Sequence, residues 1–191
     1  MNEYIIRDAD PEDAERLVEI YSPYIIKTAV SFEYEVPTVE EFTERIRTIK
    51  FRYPYLVCEK DGVILGYAYL SAYGTRKAYS WTAMTSIYVD EGIRRQGIGK
   101  LLYKELEKRA GEQGIVNLLA GIAYCEKEDE YLTHDSVSFH LREGYEEVAH
   151  MKTVGKKFDR WYDLLWMQKK LTDVDGGNTH ICSAACDGQG A

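Results

Sequence analysis

A short basic turn with two glycines lies between a strand-like segment and a helix-like segment. Residues 86–89 (SIYV) have the composition of a strand, and residues 104–109 (KELEKR) that of a helix. The turn between them, residues 93–102, contains Gly97 and Gly99. Backbone N–H groups in the first turn of a helix have no intrahelical partner, and the helix dipole favours negative charge there. This order of segments therefore constrains the middle of the chain to a strand–loop–helix unit and predicts an anion site.

The residues of the turn suit a phosphate group. Glycine has no Cβ, so the backbone at Gly97 and Gly99 can approach a phosphate closely. Arg94 and Arg95 add cationic donors whose planar fork fits phosphate oxygens. We therefore expect a ligand that carries a diphosphate, while a plain strand–turn–helix connection also accounts for two glycines.

Two common phosphate-binding patterns do not fit this turn. A P-loop requires G-x-x-x-x-G-K-[ST], but no Ser or Thr follows Gly99-Lys100, and Arg94 replaces the upstream glycine. A dinucleotide-binding turn requires G-x-G-x-x-G, and its third glycine is Leu102 here. What remains is the pattern R-x-x-G-x-G, formed by Arg94, Gly97 and Gly99.

Length and charge restrict the class of protein. The 191 residues fit one domain, predicted at 1–171, followed by a flexible polar tail at 172–191. The formal net charge of -8 argues against general affinity for nucleic acid or anionic membranes. The chain has no apolar run of about 20 residues, no signal-peptide pattern at its start and no disulfide framework among its four cysteines. A cytoplasmic protein is therefore predicted.

The tail contains three potential metal ligands. His180, Cys182 and Cys186 lack a fourth partner and lie in a segment without a predicted scaffold. Structural zinc sites normally have four ligands at tighter spacing. No metal site is predicted.

Hydrophobic periodicity and capping signals predict a βααβββαβαββ order. Helix signals include Pro11, an interruption at Pro23 after Ser22, and a capping box at Thr38 and Glu41. The helix after the glycine turn is predicted to bury a stripe of Ile98, Leu101, Leu102 and Leu106. This order favours an α+β fold with a mixed sheet over a doubly wound fold.

Several separate segments resemble one family in their order and spacing. They are SFE at 31–33, LGYAY at 65–69, RKAYSWT at 76–82, SIYV at 86–89, the glycine turn, FH at 139–140, GY at 144–145, GKKF at 155–158 and RWYD at 160–163. Together they resemble the GCN5-related N-acetyltransferases (GNAT), in particular the phosphinothricin and methionine sulfoximine N-acetyltransferases. The resemblance covers residues 4–171. It implies a central mixed, mostly antiparallel sheet of about seven strands with about four helices, and acetyl-CoA as co-substrate without a metal.

The resemblance also implies which residues bind the co-substrate. The pantetheine arm is expected along Ile87, Tyr88 and Val89, where two strands separate, with the Val89 N–H polarising the thioester oxygen as a catalytic group. Asp135 and Ser136 occupy a position where the family often has Asn-Ser, and a carboxylate accepts hydrogen bonds but cannot donate them. The expected diphosphate contacts are Arg94, Arg95, Gln96, Gly97, Ile98, Gly99 and Lys100.

One residue departs from the family pattern. The position that carries the family's proposed general base is Met84, and a thioether is not a useful proton acceptor. Strand alternation places Met84 on the same face as Ser86 and Tyr88, so it is still expected to line the site. Glu33 and His140 are the candidate substitutes, although a lone histidine is more often a packing residue. His140 has the advantage of an ordinary pKa near neutrality.

The acceptor is expected to be a small zwitterionic amino-acid analogue, such as phosphinothricin or methionine sulfoximine, acetylated directly in a ternary complex. Arg76 and Lys156 are the candidate cations for its carboxylate, and Phe32, Tyr79 and Trp161 the candidate pocket walls. Protein N-termini, polyamines and aminoglycosides stay open as acceptors.

Two other functions and the assembly state are also left open. Met84 keeps open a catalytically impaired acyl-CoA-binding sensor, and a nucleotide-binding regulatory module is a third reading. A homodimer is open as well, because 16 tyrosines can form an interface as readily as a core.

Overall fold

The computed structural model describes residues 3–93 and 95–172. Arg94 and the tail residues 173–191, with His180, Cys182 and Cys186, lie outside the described residues. The strands are β1 (Ile5–Asp8), β2 (Tyr55–Lys60), β3 (Val63–Ala72), β4 (Thr82–Val89), β5 (Asn117–Tyr124), β6 (Glu146–Lys157) and β7 (Arg160–Lys170). The helices are α1 (Ala14–Ile26), α2 (Val39–Lys50), α3 (Ile98–Glu112) and α4 (Asp135–Arg142), with 3-10 turns at Pro11–Asp13, Lys77–Tyr79 and Glu91–Ile93.

The seven described strands form one sheet in the order β1-β2-β3-β4-β5-β7-β6. Every neighbouring pair is antiparallel except β4 and β5, which are parallel. The predicted α+β class with a mixed, mostly antiparallel sheet and four helices is therefore confirmed. The parallel pair is short, because only Thr82–Met84 of β4 pair with Asn117–Leu119 of β5.

Each face of the sheet carries its own core. On one face, α3 buries Ile98, Leu102 and Leu106 against β-strand residues and Tyr145. Leu101, predicted as part of this stripe, is 38% exposed, because it lies to one side of the helix face that meets the sheet. On the other face, α1 and α2 pack over a cluster rich in tyrosine.

Two predicted helix signals have different outcomes. The capping box is confirmed: Thr38 Oγ1 accepts from the Glu41 N–H at 3.1 Å, and Glu41 Oε2 accepts from the Thr38 N–H at 2.8 Å. The predicted end of the first helix at Pro23 is wrong, because α1 continues to Ile26. Burial of Tyr24 and Ile25 in the core stabilises the last turn despite the hydrogen bond that proline removes.

Candidate active site

A cleft opens where β4 and β5 separate. Pairing between them ends at Met84 and Leu119, although β4 continues to Val89 and β5 to Tyr124. The resemblance implies such a separation. The cleft is lined by Thr85, Ser86, Ile87 and Tyr88 of β4, by Ala120, Gly121, Ile122 and Ala123 of β5, and by Val30, Tyr103, Leu132, Ser136 and His140.

Backbone groups of β4 point into this cleft at alternate residues. The Tyr24 hydroxyl donates to the Val89 carbonyl at 2.5 Å, and the Val89 N–H lies 3.3 Å from the same hydroxyl. Because the N–H and C=O of one strand residue point to the same side and alternate along the strand, Ile87 presents its pair to the same edge. Ile87 lines the cleft. Since Tyr24 competes for Val89, the geometry favours Ile87 over the predicted Val89 as the donor to a thioester oxygen.

The glycine turn forms an uncapped helix N-terminus. Gly97 is the N-cap of α3 with φ of 83°, and Arg95 has φ of 65°. No side chain of the described residues caps this helix, so the N–H groups of its first turn face outward beside the exposed side chains of Arg95 and Lys100. The described part of the predicted loop therefore has the features of an anion site.

The two glycines are required for different reasons. A Cβ at Gly97 would meet nothing within 4 Å, so it is the left-handed backbone that requires glycine there. A Cβ at Gly99 would lie 3.0 Å from the Phe139 ring and 3.4 Å from Ile87 Cδ1. Gly99 therefore allows α3 to approach α4 and β4 closely, beside the cleft.

Neighbouring side chains partly neutralise the loop. Arg95 Nη2 lies 3.4 Å from Asp135 Oδ1, and both side chains are largely exposed. Tyr4 donates its hydroxyl proton to Gln96 Oε1 at 3.1 Å. Asp135 thus lies next to the loop, as the resemblance implies, and Ser136 lines the cleft.

His140 has both ring nitrogens engaged. It is 4% exposed, with Nδ1 2.7 Å from the Ser136 carbonyl and Nε2 2.8 Å from the Tyr103 hydroxyl. A carbonyl only accepts, so Nδ1 carries the proton and Nε2 accepts from Tyr103. Burial lowers the pKa of His140 to about 4. The ring is therefore neutral at pH 7, and this geometry favours a structural role over the predicted role as general base.

Glu33 lies on the opposite side of the sheet from His140. Its carboxylate pairs with Arg45 at 2.8 Å, and its N–H donates to Ser31 Oγ at 3.2 Å. Ser31 Oγ is in turn 2.7 Å from the Tyr21 hydroxyl. Burial raises the pKa of Tyr21 to about 12, and the charge of Glu33 contributes to this rise. Glu33 is thus held close to the tyrosine cluster under α1 and α2.

The tyrosine cluster reaches β4 on the Met84 face. Tyr88, which alternation places on the same face as Met84 and Ser86, packs edge-on against Tyr21 at 4.6 Å and Tyr24 at 5.2 Å. Tyr69 of β3 lies directly opposite Ser86. Met84 itself is half-buried, at the point where the strands separate. Glu33, which lies beside this tyrosine cluster, is therefore the candidate base on the Met84 face of the sheet.

The predicted acceptor residues belong to three segments. Phe32 packs over Gly155, where a Cβ would lie 2.3 Å from its ring. Arg76 is exposed at the turn before β4, and Tyr79 of that turn packs edge-on against Tyr73 at 5.2 Å.

The other two acceptor candidates lie on the β6–β7 hairpin. Lys156 pairs with Asp159 at 3.5 Å, and Trp161, opposite Lys156, is 60% exposed. No ring contact or hydrogen bond among the described residues joins this hairpin pair to Arg76 and Tyr79. Lys157, two residues from Gly155 on the same face of the strand, is 3% exposed, whereas Lys156 is half-exposed.

Two further observations on the described residues concern membrane-spanning helices and metal-binding groups. They contain no helix of the length and apolarity that crossing a membrane requires. They contain no group of three or more His, Cys, Asp or Glu side chains arranged to hold a metal ion.

Comparison with known proteins identifies the family. Residues 6–166 match the acetyltransferase (GNAT) domain family. A phosphinothricin N-acetyltransferase of Streptomyces viridochromogenes is 32% identical over 86% of both chains. An L-methionine sulfoximine/L-methionine sulfone acetyltransferase of Salmonella typhimurium is 31% identical over 95% of this chain and 99% of the relative. A crystal structure of a phosphinothricin acetyltransferase from Sinorhizobium meliloti in complex with AcCoA superposes with a TM-score of 0.82 at 31% identity, covering 93% of this chain and 95% of that one. The chain therefore belongs to the GNAT acetyltransferase family.

Proposed function

We propose that the protein is an acetyl-CoA-dependent N-acetyltransferase that acetylates the primary amine of a small amino-acid analogue, such as phosphinothricin or methionine sulfoximine. The observation that carries the proposal is the cleft between β4 and β5, which leads to the uncapped N-terminus of α3. The relatives named for phosphinothricin and methionine sulfoximine support the acceptor class.

The described residues fit acetyl-CoA, which supplies the acetyl group as an activated thioester. The first-turn N–H groups of α3, with Arg95 and Lys100, bind the diphosphate. The open space at Gly97 leaves room for it. The backbone of Ile87 orients the arm along the free edge of β4 and donates an N–H where negative charge develops on the thioester oxygen. Gln96, Ile98, Asp135 and Ser136 complete this side of the proposed site.

Proton removal is the step that Met84 leaves without an evident catalyst. An amine with a pKa of about 8 is already about one-tenth neutral at pH 7, so binding of the neutral amine supports turnover without a base. Glu33 is the proposed substitute, because its carboxylate lies by the tyrosine cluster on the Met84 face. The amine then attacks the carbonyl carbon directly, in a ternary complex, and the thiolate leaves.

A thiol-release assay with acetyl-CoA tests the proposal. Phosphinothricin, L-methionine sulfoximine, L-methionine sulfone, a polyamine and an aminoglycoside serve as acceptors. We expect release with at least one amino-acid analogue and none with the last two. Release only with the polyamine or the aminoglycoside would overturn the acceptor class, and failure of acetyl-CoA to bind in calorimetry would overturn the whole proposal.

Met84 favours one second candidate, a catalytically impaired acyl-CoA-binding sensor. This function predicts that acetyl-CoA binds in calorimetry while no acceptor in the panel releases thiol. The two assays together therefore separate enzyme from sensor.

We further propose that residues 1–171 are the catalytic domain, acting in the cytoplasm. In the structure, β7 ends at Lys170, and Cys58 and Cys125 are free thiols, in keeping with a reducing compartment. Removal of residues 172–191 should leave kcat/KM within about twofold and the melting temperature unchanged. A clear loss of either would assign the tail a role.

A further inference from the structure

One tyrosine hydroxyl holds both backbone groups of the last residue of β4. Tyr24, in the last turn of α1, donates to the Val89 carbonyl at 2.5 Å, and the Val89 N–H donates to the same hydroxyl at 3.3 Å. The Tyr24 side chain is 9% exposed and packs edge-on against Tyr88 at 5.2 Å. In a sheet, a residue of a neighbouring strand makes such a pair of bonds. The Tyr24 hydroxyl therefore occupies a place that a strand-like partner of β4 would take.

Hydrogen bonds at the two ends of β4 show which edge of the strand this is. The Trp81 carbonyl, just before β4, accepts from the Val116 N–H, just before β5, at 2.9 Å. The Asp90 N–H, just after β4, donates to the Leu65 carbonyl of β3 at 2.9 Å. Because these directions alternate along a strand, odd-numbered residues of β4 face β5 and even-numbered ones face β3. Val89 thus presents its groups on the edge that becomes free where β4 and β5 separate.

Val89 lies between the two parts of the proposed acetyl-CoA site. The N-terminus of α3 adjoins this end of β4, since a Cβ at Gly66, the partner of Val89, would lie 3.3 Å from Ile98 Cγ2. Ile87, two residues before Val89, lines the cleft. The pantetheine arm between the diphosphate and the thioester contains two amides, which can pair with a strand edge. An arm that runs from the loop to Ile87 passes the backbone groups that Tyr24 holds.

We propose that Tyr24 is a latch, which holds the N–H and C=O of Val89 in the free protein and releases them to the pantetheine arm of acetyl-CoA. This inference rests on the proposed N-acetyltransferase function and concerns how its donor site opens. In the free protein, the latch covers strand-edge groups that could otherwise pair with another strand. On binding, the loss of its two hydrogen bonds lowers the affinity for the arm. The contact joins residues 65 positions apart, so no local pattern marks it in the sequence.

Two ion pairs hold α1 against the end of β4 independently of this hydroxyl. Arg16 Nη2 lies 2.5 Å from Asp90 Oδ2, and Lys27 Nζ lies 2.7 Å from Glu91 Oε1. Both carboxylates belong to the segment directly after β4. The position of α1 therefore does not depend on the Tyr24 hydroxyl alone, and a Tyr24→Phe variant tests the latch without removing the packing of its ring.

A residue-by-ligand cycle in calorimetry tests the latch without turnover. The ligands are CoA and 3′-phosphoadenosine 5′-diphosphate, which has the nucleotide and diphosphate of CoA but no pantetheine arm. The full chain is compared as wild type, Tyr24→Phe and Tyr21→Phe. Tyr21 is the matched control, because it belongs to the same helix and tyrosine cluster, but its hydroxyl bonds Ser31 Oγ at 2.7 Å.

We expect Tyr24→Phe to bind CoA about five- to tenfold more tightly than wild type, because two hydrogen bonds of modest net strength no longer have to be broken. It should bind the nucleotide without the arm within about twofold of wild type, and Tyr21→Phe should change neither affinity by more than about twofold. Unchanged or weaker CoA binding by Tyr24→Phe would overturn the latch and mean that the hydroxyl only fastens α1 to β4. Equal gains for both ligands, or the same gain in Tyr21→Phe, would also overturn it.

A crystal structure of wild type with CoA provides a second measurement that needs no variant. The Tyr24 hydroxyl should have left both backbone groups of Val89. A hydroxyl that is still within about 3.5 Å of either group would overturn the latch while leaving the proposed function intact. Failure of wild type and Tyr24→Phe to bind CoA at all would instead overturn the proposed function and the latch together, so the two failures are distinguishable.

Discussion

Replacement of Met84 by glutamate should restore a general base and change how the rate depends on pH. Met84 is half-buried where β4 and β5 separate, on the face shared with Ser86 and Tyr88. A carboxylate there is partly desolvated, so its pKa lies above the usual value of about 4.3 and closer to the working pH. The structure therefore favours an effective base at this position.

The size of the gain follows from the fraction of neutral amine. With an amine pKa of about 8, the neutral fraction is about one-tenth at pH 7 and about one-hundredth at pH 6. In wild type, the proposed base Glu33 supplies about tenfold of the roughly hundredfold gain that a base can give at pH 6, and Met84→Glu can supply the remainder. We therefore expect kcat/KM of Met84→Glu to exceed wild type about tenfold at pH 6. The advantage should shrink to about twofold at pH 9, where most of the amine is already neutral.

The assay is thiol release from acetyl-CoA with L-methionine sulfone between pH 6 and pH 9. Met84→Gln is the matched control, because it has the size and polarity of glutamate without its basicity, and it should follow the wild-type profile. A ratio of Met84→Glu to wild type that stays constant across this range would refute the base assignment. Equal gains in Met84→Gln would attribute the effect to polarity.

Three further predictions test other parts of the site. Glu33→Gln should lower kcat about tenfold or more at pH 6 if Glu33 is the substitute base, with little loss of unfolding free energy because the pair with Arg45 is exposed; an unchanged kcat would rule out that role. Gly97→Ala should lower the unfolding free energy by about 1–2 kcal/mol, because Gly97 has a positive φ, and should raise KM for acetyl-CoA. Gly99→Ala should instead destabilise the protein by displacing the Phe139 ring. In urea unfolding, the double variant Gly99→Ala, Phe139→Leu should recover part of that loss. The unfolding free energy of wild type should fall by up to about 3 kcal/mol between pH 6.5 and about pH 4, because His140 becomes protonated in the unfolded chain but not in the native one. In urea titrations at pH 7, 5.5 and 4.5, His140→Gln should lack this part of the fall. An identical fall in the variant would contradict the assigned pKa.

The sequence predicted the order of elements because their signals are local. Alternating apolar residues, the Thr38 capping box and the glycine turn depend on neighbours along the chain. The end of α1 was wrong because burial of Tyr24 and Ile25, a tertiary effect, outweighs the cost of Pro23. Local patterns therefore predict where elements are, and packing decides where they stop.

Long-range contacts decide the chemistry of individual side chains. The ordinary pKa of histidine predicts that His140 can act as a base. Burial, with the hydrogen bond to Tyr103, lowers its pKa and makes it a weak base. The same holds for Lys156 and Lys157, which adjoin in sequence but point to opposite faces of β6. Which face is buried depends on the packing of Phe32 over Gly155, a contact between residues more than 120 positions apart.

Strand β4 serves both proposed ligands because its groups point in three directions. The backbone edge and the loop beyond Val89 face the donor, while Met84 faces the acceptor side under α1 and α2. Gly97 lies at the Val89 end of β4, because Ile98 contacts Gly66, the partner of Val89. The five-residue rise from Met84 to Val89 is about 16 Å in a strand. Changes that far apart, without shared partners, combine additively to within about twofold in rate. The double variant Met84→Glu, Gly97→Ala should therefore show the product of the two single effects on kcat/KM at pH 6. If the kcat/KM effect of the double variant differed tenfold from this product, the donor loop and the acceptor face would be coupled, which would contradict the division of roles along this strand.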